Sequence, residues 1–361
     1  MSPFSYPTQS LATKLRGRRL QLNLGFVVTY LIISLSPMLF ANPLIYPAGL
    51  SAKGKKLVFI ASDHEYRAEE TMPALARILA QRHGFDCTVL FGLNERGEIE
   101  AGASNIPGLE ALADADGLVI FARFLALPPE QMTHIDAYLN RAGPVVGLRT
   151  STHAFNYPEE RQADPFYAYH FRYEGSEYRS GFGHQVLGQT WVGHYGKNHV
   201  QSTRISVVPS QTSHPILRGV NEMHVQAGGY NAEPAEDWTI LTMAQPLMSM
   251  LRDGESDATK PPMASEWTRS YRGRNGQTGR VFTSLYGASE DLLDANYRRL
   301  LVNGVYWAVG LEDAITAGSN VDFVGPFQPN TFGNRKEARG IKPTDYQSLS
   351  SRIPLHAFKQ P

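Results

Sequence analysis

Three stretches of this 361-residue chain gather side chains that could do chemistry. The densest is Arg149-Thr150-Ser151-Thr152-His153, a cation, three hydroxyls and an imidazole in five residues. An imidazole can move a proton near neutral pH, a guanidinium can steady an oxyanion, and hydroxyls can fix the hydroxyls of a sugar. His153 and Arg149 are therefore candidate catalytic groups, and Ser151 and Thr152 candidate substrate contacts. The competing reading is structural, with Ser151 or Thr152 capping a helix and His153 filling a hydrogen bond. A Ser151 peptidase lacks the Gly-x-Ser-x-Gly elbow.

The second stretch is Asp63-His64-Glu65-Tyr66-Arg67, followed by Glu69 and Glu70. Asp63, His64 and Glu65 could bind substrate or a metal, or act as acid and base. Glu69 and Glu70 read as first-turn residues of a helix, where the dipole favours carboxylates. The third holds His184, His194 and His199 among Trp191, Tyr195 and Lys197. Aromatic faces pack on sugar C–H surfaces, which makes Trp191 and Tyr195 candidate sugar contacts and His194 a third catalytic candidate. His194 and His199 could also hold a divalent metal. Their surroundings, Gly193-His194-Tyr195-Gly196-Lys197-Asn198-His199, match no standard zinc spacing. No other cofactor is expected: the 62–67 segment lacks the glycines of a phosphate loop.

These residues need a scaffold, and the hydrophobic pattern supplies one. Short apolar runs at 57–61, 85–91, 117–122 and 144–148 alternate with helical patterns. One helix carries Leu75, Ile78 and Leu79 and ends near Gly84, a short one covers 109–113, and another carries Met132, Ile135 and Leu139. Four such steps predict an α/β fold with a mostly parallel sheet covered on both faces. Ligands bind such sheets beyond the carboxyl ends of the strands, where Ser62, Phe91, Arg123 and Arg149 open their loops. Strands are also expected at 203–208, 238–243, 248–252, 263–271 and 280–285, with a last helix over 289–309. His214 before Pro215 reads as a structural tie.

Composition sets the outer limits. Thirty-four Lys+Arg balance 34 Asp+Glu, which argues against a nucleic-acid binder. The single cysteine, Cys87, excludes an internal disulfide and a cysteine-cluster metal site. Lys14, Arg16, Arg18 and Arg19 precede an apolar run over 20–40, which reads as a secretory signal. The expected organisation is thus a leader at 1–41 (cleaved, or kept as an N-terminal anchor), a linker at 42–55, one domain at 56–312 and a loop-rich extension at 313–361. The body then lies in the periplasm or outside the cell, with no membrane contact beyond the leader.

The segments His214-Pro215-Ile216-Leu217-Arg218-Gly219-Val220, Gly279-Arg280-Val281-Phe282-Thr283-Ser284-Leu285 and the run from Arg298 to Gly310 resemble the ThuA-like (trehalose-utilisation) family. The run from Gly147 to Phe155 and Ser319-Asn320-Val321-Asp322 resemble its exported, planctomycete-type subgroup. The resemblance implies a flavodoxin-like three-layer fold of the class I glutamine amidotransferase-like superfamily, and a carbohydrate such as a disaccharide or keto-sugar derivative as ligand. It also implies a pocket near Glu222, His224 and Tyr230. An enzyme of this kind would be a carbohydrate hydrolase or isomerase; the alternative is a sugar-binding or scaffold domain without turnover. Two departures stand out. The superfamily's cysteine position, after the strand at 144–148, holds Arg149 and its neighbours, and Ala288 follows Gly287 where many relatives carry histidine. Glutaminase chemistry is not expected.

Overall fold

Continuous apolar runs decide the centre of the molecule. The computed structural model describes residues 43–49, 51–334 and 339–356; the expected leader lies outside them. The strands are β1 (Leu44–Tyr46), β2 (Lys56–Ser62), β3 (Asp86–Phe91), β4 (Gly117–Ala122), β5 (Val145–Leu148), β6 (Thr203–Val207), β7 (Met223–Val225), β8 (Thr239–Pro246), β9 (Met263–Arg272) and β10 (Thr278–Ser284). They form one sheet in the order β1-β3-β2-β4-β5-β10-β9-β8-β6-β7. The block β3-β2-β4-β5-β10 is parallel, and every other pairing is antiparallel. All six residues of β4 are buried, as a strand covered on both faces requires.

Three α-helices cover the parallel block: α1 (Ala68–His83), α2 (Pro129–Asn140) and α3 (Ala295–Ala308). Alternation along β2 sends Leu57 and Phe59 to a core shared with α1 and α3, through Leu75, Ile78, Leu300 and Leu301. Val58 and Ile60 point the other way, into a core with Met132, Ile135 and Leu139 of α2. The result is the expected three-layer α/β sandwich, extended by antiparallel strands. Gly84 closes α1 in the left-handed conformation, φ 74°, its N–H returning to the Ala80 carbonyl.

Four expectations need correction. The 248–252 run is a turn, not a strand, with Met248 and Leu251 60% and 66% exposed; Leu247 pairs with Ser256 and the chain reverses between them. The 289–309 helix is two pieces, a 3-10 turn at Ser289–Leu293 and α3. Asp294 separates them: its backbone is extended and its carboxylate accepts the Tyr297 N–H at 3.0 Å, so the aspartate starts a new helix. Part of the expected linker at 42–55 is strand β1, and the short edge strand β7 was not foreseen. Described parts of the C-terminal extension pack on the domain. Buried Arg77 of α1 donates to the carbonyls of Tyr346, Ser348 and Ser351 and to the Tyr46 hydroxyl.

Candidate functional site

Parallel pairing sets Ser62 beside Ala122 and Leu148 beside Ser284, so four loops leave the sheet at one edge. Three of these loops contain a non-glycine residue in the left-handed region: Arg67 (φ 64°), Phe124 (φ 53°) and Arg149 (φ 41°). Each costs on the order of 1–2 kcal/mol, so surrounding bonds must hold it. The Phe124 N–H donates to the His153 carbonyl at 3.1 Å, and Leu125 N–H to Ala154 at 2.7 Å. Ser151 ties its loop to the end of β4: its hydroxyl donates to the Ile120 carbonyl at 2.8 Å and accepts from Ala122 N–H at 3.2 Å. Asp63 Oδ1 accepts from the amides of Glu65 and Tyr66, shaping the first loop.

Arg149 occupies the sharp turn after β5. Its side chain is fully buried, with the guanidinium 3.7 Å from the Tyr66 ring centre and 4.6 Å from that of Tyr230. Nη1 donates to the Leu285 carbonyl at 3.0 Å and Nη2 to that of Gly228 at 2.8 Å. No carboxylate lies within ion-pair distance of it among the described residues. With both Nη atoms bonded to backbone, Arg149 is a cation clamped between two tyrosines; it does not present its charged end to an oxyanion, as the sequence suggested.

His153, 1% exposed, sits at the centre of an aromatic ring of neighbours. Ring centres lie 5.0 Å away for Phe124, 5.3 Å for Trp191, 5.8 Å for Tyr230 and 6.2 Å for Phe171. Nδ1 lies 3.1 Å from the Thr152 hydroxyl, which leaves Nε2 as the nitrogen for any other partner. Burial, then the charges of Arg123 and Arg149, hold this imidazole well below its ordinary pKa, so it is neutral at pH 7. His194 is exposed and joins the cluster through Trp191 (6.0 Å) and Tyr230 (5.3 Å). Partial desolvation of its ring, then the charge of Arg149, lowers its pKa. Phe124 and Trp191 are partly exposed, so with His194 they form the outer side of the cluster.

The remaining candidates divide. Glu65 reaches the cluster's edge and pairs with Arg123, whose guanidinium lies 4.9 Å from the Phe124 ring centre. His64 faces Phe124 at 6.2 Å, close to Gly102, where a β-carbon would come within 2.8 Å of the His64 Cβ. Asp63 is buried and turn-forming, and Ser151 is fully buried with both hydroxyl bonds to backbone, so neither is placed as a substrate contact. Tyr195 points elsewhere, its hydroxyl on the Pro261 carbonyl and its ring facing Lys260. His199 stacks on Phe332 at 4.4 Å and does not meet His194. Among the described residues no group of three or more His, Cys, Asp or Glu could hold a metal ion. Glu69 and Glu70 do lie in the first turn of α1, but they also line a cavity with Ile99, Arg339, Ile341 and Tyr346 that shares no lining residue with the cluster. His214 is a tie, its Nδ1 accepting the Ile216 N–H at 3.3 Å. Glu222 and His224 are engaged with Arg204 and Ser202.

Sequence reading missed Phe124 and Phe171 as site residues, and Tyr66 as one face of the arginine clamp. Phe124 carried a signal, since it follows a strand end already marked at Arg123. Phe171 carried none: it comes from a loop-rich stretch and meets Phe124 at 5.3 Å only through the fold.

No family model matches this chain, and no curated protein matches it. Among solved structures it is similar to a ThuA-like protein from Bacteroides uniformis, at 14% identity and TM-score 0.46, covering 75% of this chain and 98% of that one. A ThuA-like protein from Parabacteroides merdae is similar at 15% identity and TM-score 0.42, covering 78% and 98%. The glutaminase domain of Trypanosoma brucei CTPS is similar at 10% identity and TM-score 0.33, covering 74% and 97%. The fold class rests on the strand order and parallel core described above, and these are the solved structures that the chain is similar to.

Proposed function

We propose that this chain is an exported ThuA-like domain protein, of the planctomycete-type subgroup, that receives a carbohydrate at the strand-end cluster and has no glutamine amidotransferase activity. The observation that carries the reading is the neutral His153 imidazole held among Phe124, Phe171, Trp191 and Tyr230 at the edge where open parallel sheets bind ligands. Aromatic faces suit the C–H surfaces of a disaccharide or keto-sugar, and an imidazole suits its hydroxyls. Arg149 at the superfamily's nucleophile turn supports the second half. So does Cys87, buried in β3, its thiol pushed up by burial and therefore inert.

If the protein turns substrate over, His153 is the group that accepts a proton, with His194 on the exposed side, in a hydrolase- or isomerase-type step. A specific observation favours binding without turnover as the second reading: among the described residues His153 meets the Thr152 hydroxyl, not a carboxylate that would orient and charge the ring. One experiment separates them. The mature protein is incubated with a panel of disaccharides and keto-sugars, and both melting temperature and product are followed for the parent and His153→Ala. Ligand-dependent melting shifts with product, lost in the variant, support the enzyme; shifts without product support the binder. No shift and no product with any sugar would sink the carbohydrate reading.

A further inference from the structure

Three buried N–H groups around the cluster have no hydrogen-bond partner among the described residues: Arg123 Nε, Arg149 Nε and Trp191 Nε1. Unpaired buried donors are uncommon, because each loses its hydration without recompense. Arg149 Nε is enclosed between tyrosines and is set aside. Arg123 is different. It bonds through Nη1 alone, to the Glu65 carboxylate and, at 3.5 Å, to Asn334 Oδ1. Its Nε–Nη2 edge carries no hydrogen bond among the described residues. That edge is the side of a guanidinium that takes a carboxylate with two parallel bonds.

Trp191 lies 5.3 Å from the His153 ring and Phe124, the neighbour of Arg123, 5.0 Å. The Arg123 guanidinium, 4.9 Å from the Phe124 ring centre, and the Trp191 indole thus both border the His153 cluster, each with a buried N–H that has no partner among the described residues. Among the described residues Glu65 is engaged by Arg123 and Asp291 by the amides of Gln226, Ala227, Gly287 and Ala288, while Asp63 is held through Oδ1 by the Glu65 and Tyr66 amides and its Oδ2 has no hydrogen-bond partner.

We propose, resting on the carbohydrate reading above, that the ligand is an acidic sugar. Its carboxylate is received by the Nε–Nη2 edge of Arg123, and a ring oxygen or hydroxyl accepts from Trp191 Nε1. Isothermal titration of the full chain with D-glucuronate, D-glucose, trehalose and acetate tests this. Glucuronate is expected to bind roughly tenfold or more tighter than glucose, the effect of a charge-assisted pair of hydrogen bonds. Arg123→Lys keeps a cation beside Glu65 but lacks the fork, and should bring the two sugars to within about twofold of each other. Trp191→Phe, which keeps an aromatic ring, should weaken both sugars while leaving glucuronate preferred; it serves if Arg123→Lys does not fold. Equal binding of glucose and glucuronate by the parent overturns the acidic-sugar proposal and leaves the carbohydrate reading standing. Acetate binding as tightly as glucuronate overturns the sugar component. Binding of none of the four overturns both readings.

Discussion

Replacing Arg149 with methionine tests whether the residue on the sharp turn after β5 is structural. Methionine keeps an unbranched apolar stem and removes the planar cation. Two hydrogen bonds disappear, to the carbonyls of Leu285 and Gly228, each charge-assisted and fully buried. Such bonds contribute roughly 1.5–3 kcal/mol each. The guanidinium also lies over two aromatic faces, at 3.7 and 4.6 Å, worth about 1–2 kcal/mol each when desolvated. Against this, the parent carries the desolvation cost of a buried charge, several kcal/mol, which methionine relieves. The expected net loss is about 2–4 kcal/mol. Equilibrium urea unfolding of parent, Arg149→Met and Arg149→Lys measures it, with near-ultraviolet circular dichroism reporting the tyrosine environment. Lysine keeps the charge but not the planar fork, and should fall between the other two. Arg149→Met within about 0.5 kcal/mol of the parent would show that the clamp does not stabilise the site and would refute the structural assignment.

Three further perturbations follow from the same packing. The imidazole of His153 is held below its unfolded value of about 6.5 by burial first and by Arg123 and Arg149 next. Its contribution to stability is complete above that pH and is lost as pH falls from there toward the lower folded-state value; His153→Gln should flatten the decline between about pH 6.5 and 5 by up to ~1.4 kcal/mol per unit. Urea unfolding at several pH values reads the slope, and an unchanged slope would refute the assignment. Arg77→Met removes four bonds that tie the C-terminal extension and Tyr46 to α1, and should lower stability by roughly 3 kcal/mol or more. Limited proteolysis should then cut near 346–351 sooner, and equal protection of parent and variant counts against the tie. A β-carbon on Gly183 would lie 1.9 Å from the Thr152 carbonyl oxygen, so Gly183→Ala must displace the turn that carries His153. A melting-temperature loss equivalent to about 1–3 kcal/mol is expected, and a neutral outcome would show that the turn yields freely.

The parallel core was legible because its signals are local. Apolar runs buried on both faces need no alternation, and β4 matches the expected 117–122 residue for residue. Gly84 stopped α1 where a left-handed cap was needed. The strand at 248–252 failed because apolar content alone does not distinguish a strand from an exposed reversal. The long helix at 289–309 failed because its apolar stripe continues through Asp294, and only the cap bond to Tyr297 reveals the break.

For the site, residue type and position at a strand end sufficed to single out 149–153 and 63–67, since the topology of a parallel sheet brings those ends to one edge. What each side chain does there was decided by tertiary contacts. Arg149 became a clamp because carbonyls at 228 and 285, far along the chain, come within reach of its two Nη atoms. Ser151 became a stitch because Ile120 lies on the neighbouring strand. His153 became a neutral imidazole because residues 124, 171, 191 and 230 converge on it and displace water. Sequence determines which groups are available at the strand ends; burial, pKa and hydrogen-bond occupancy depend on distances between residues remote in the chain, and only the folded structure sets those.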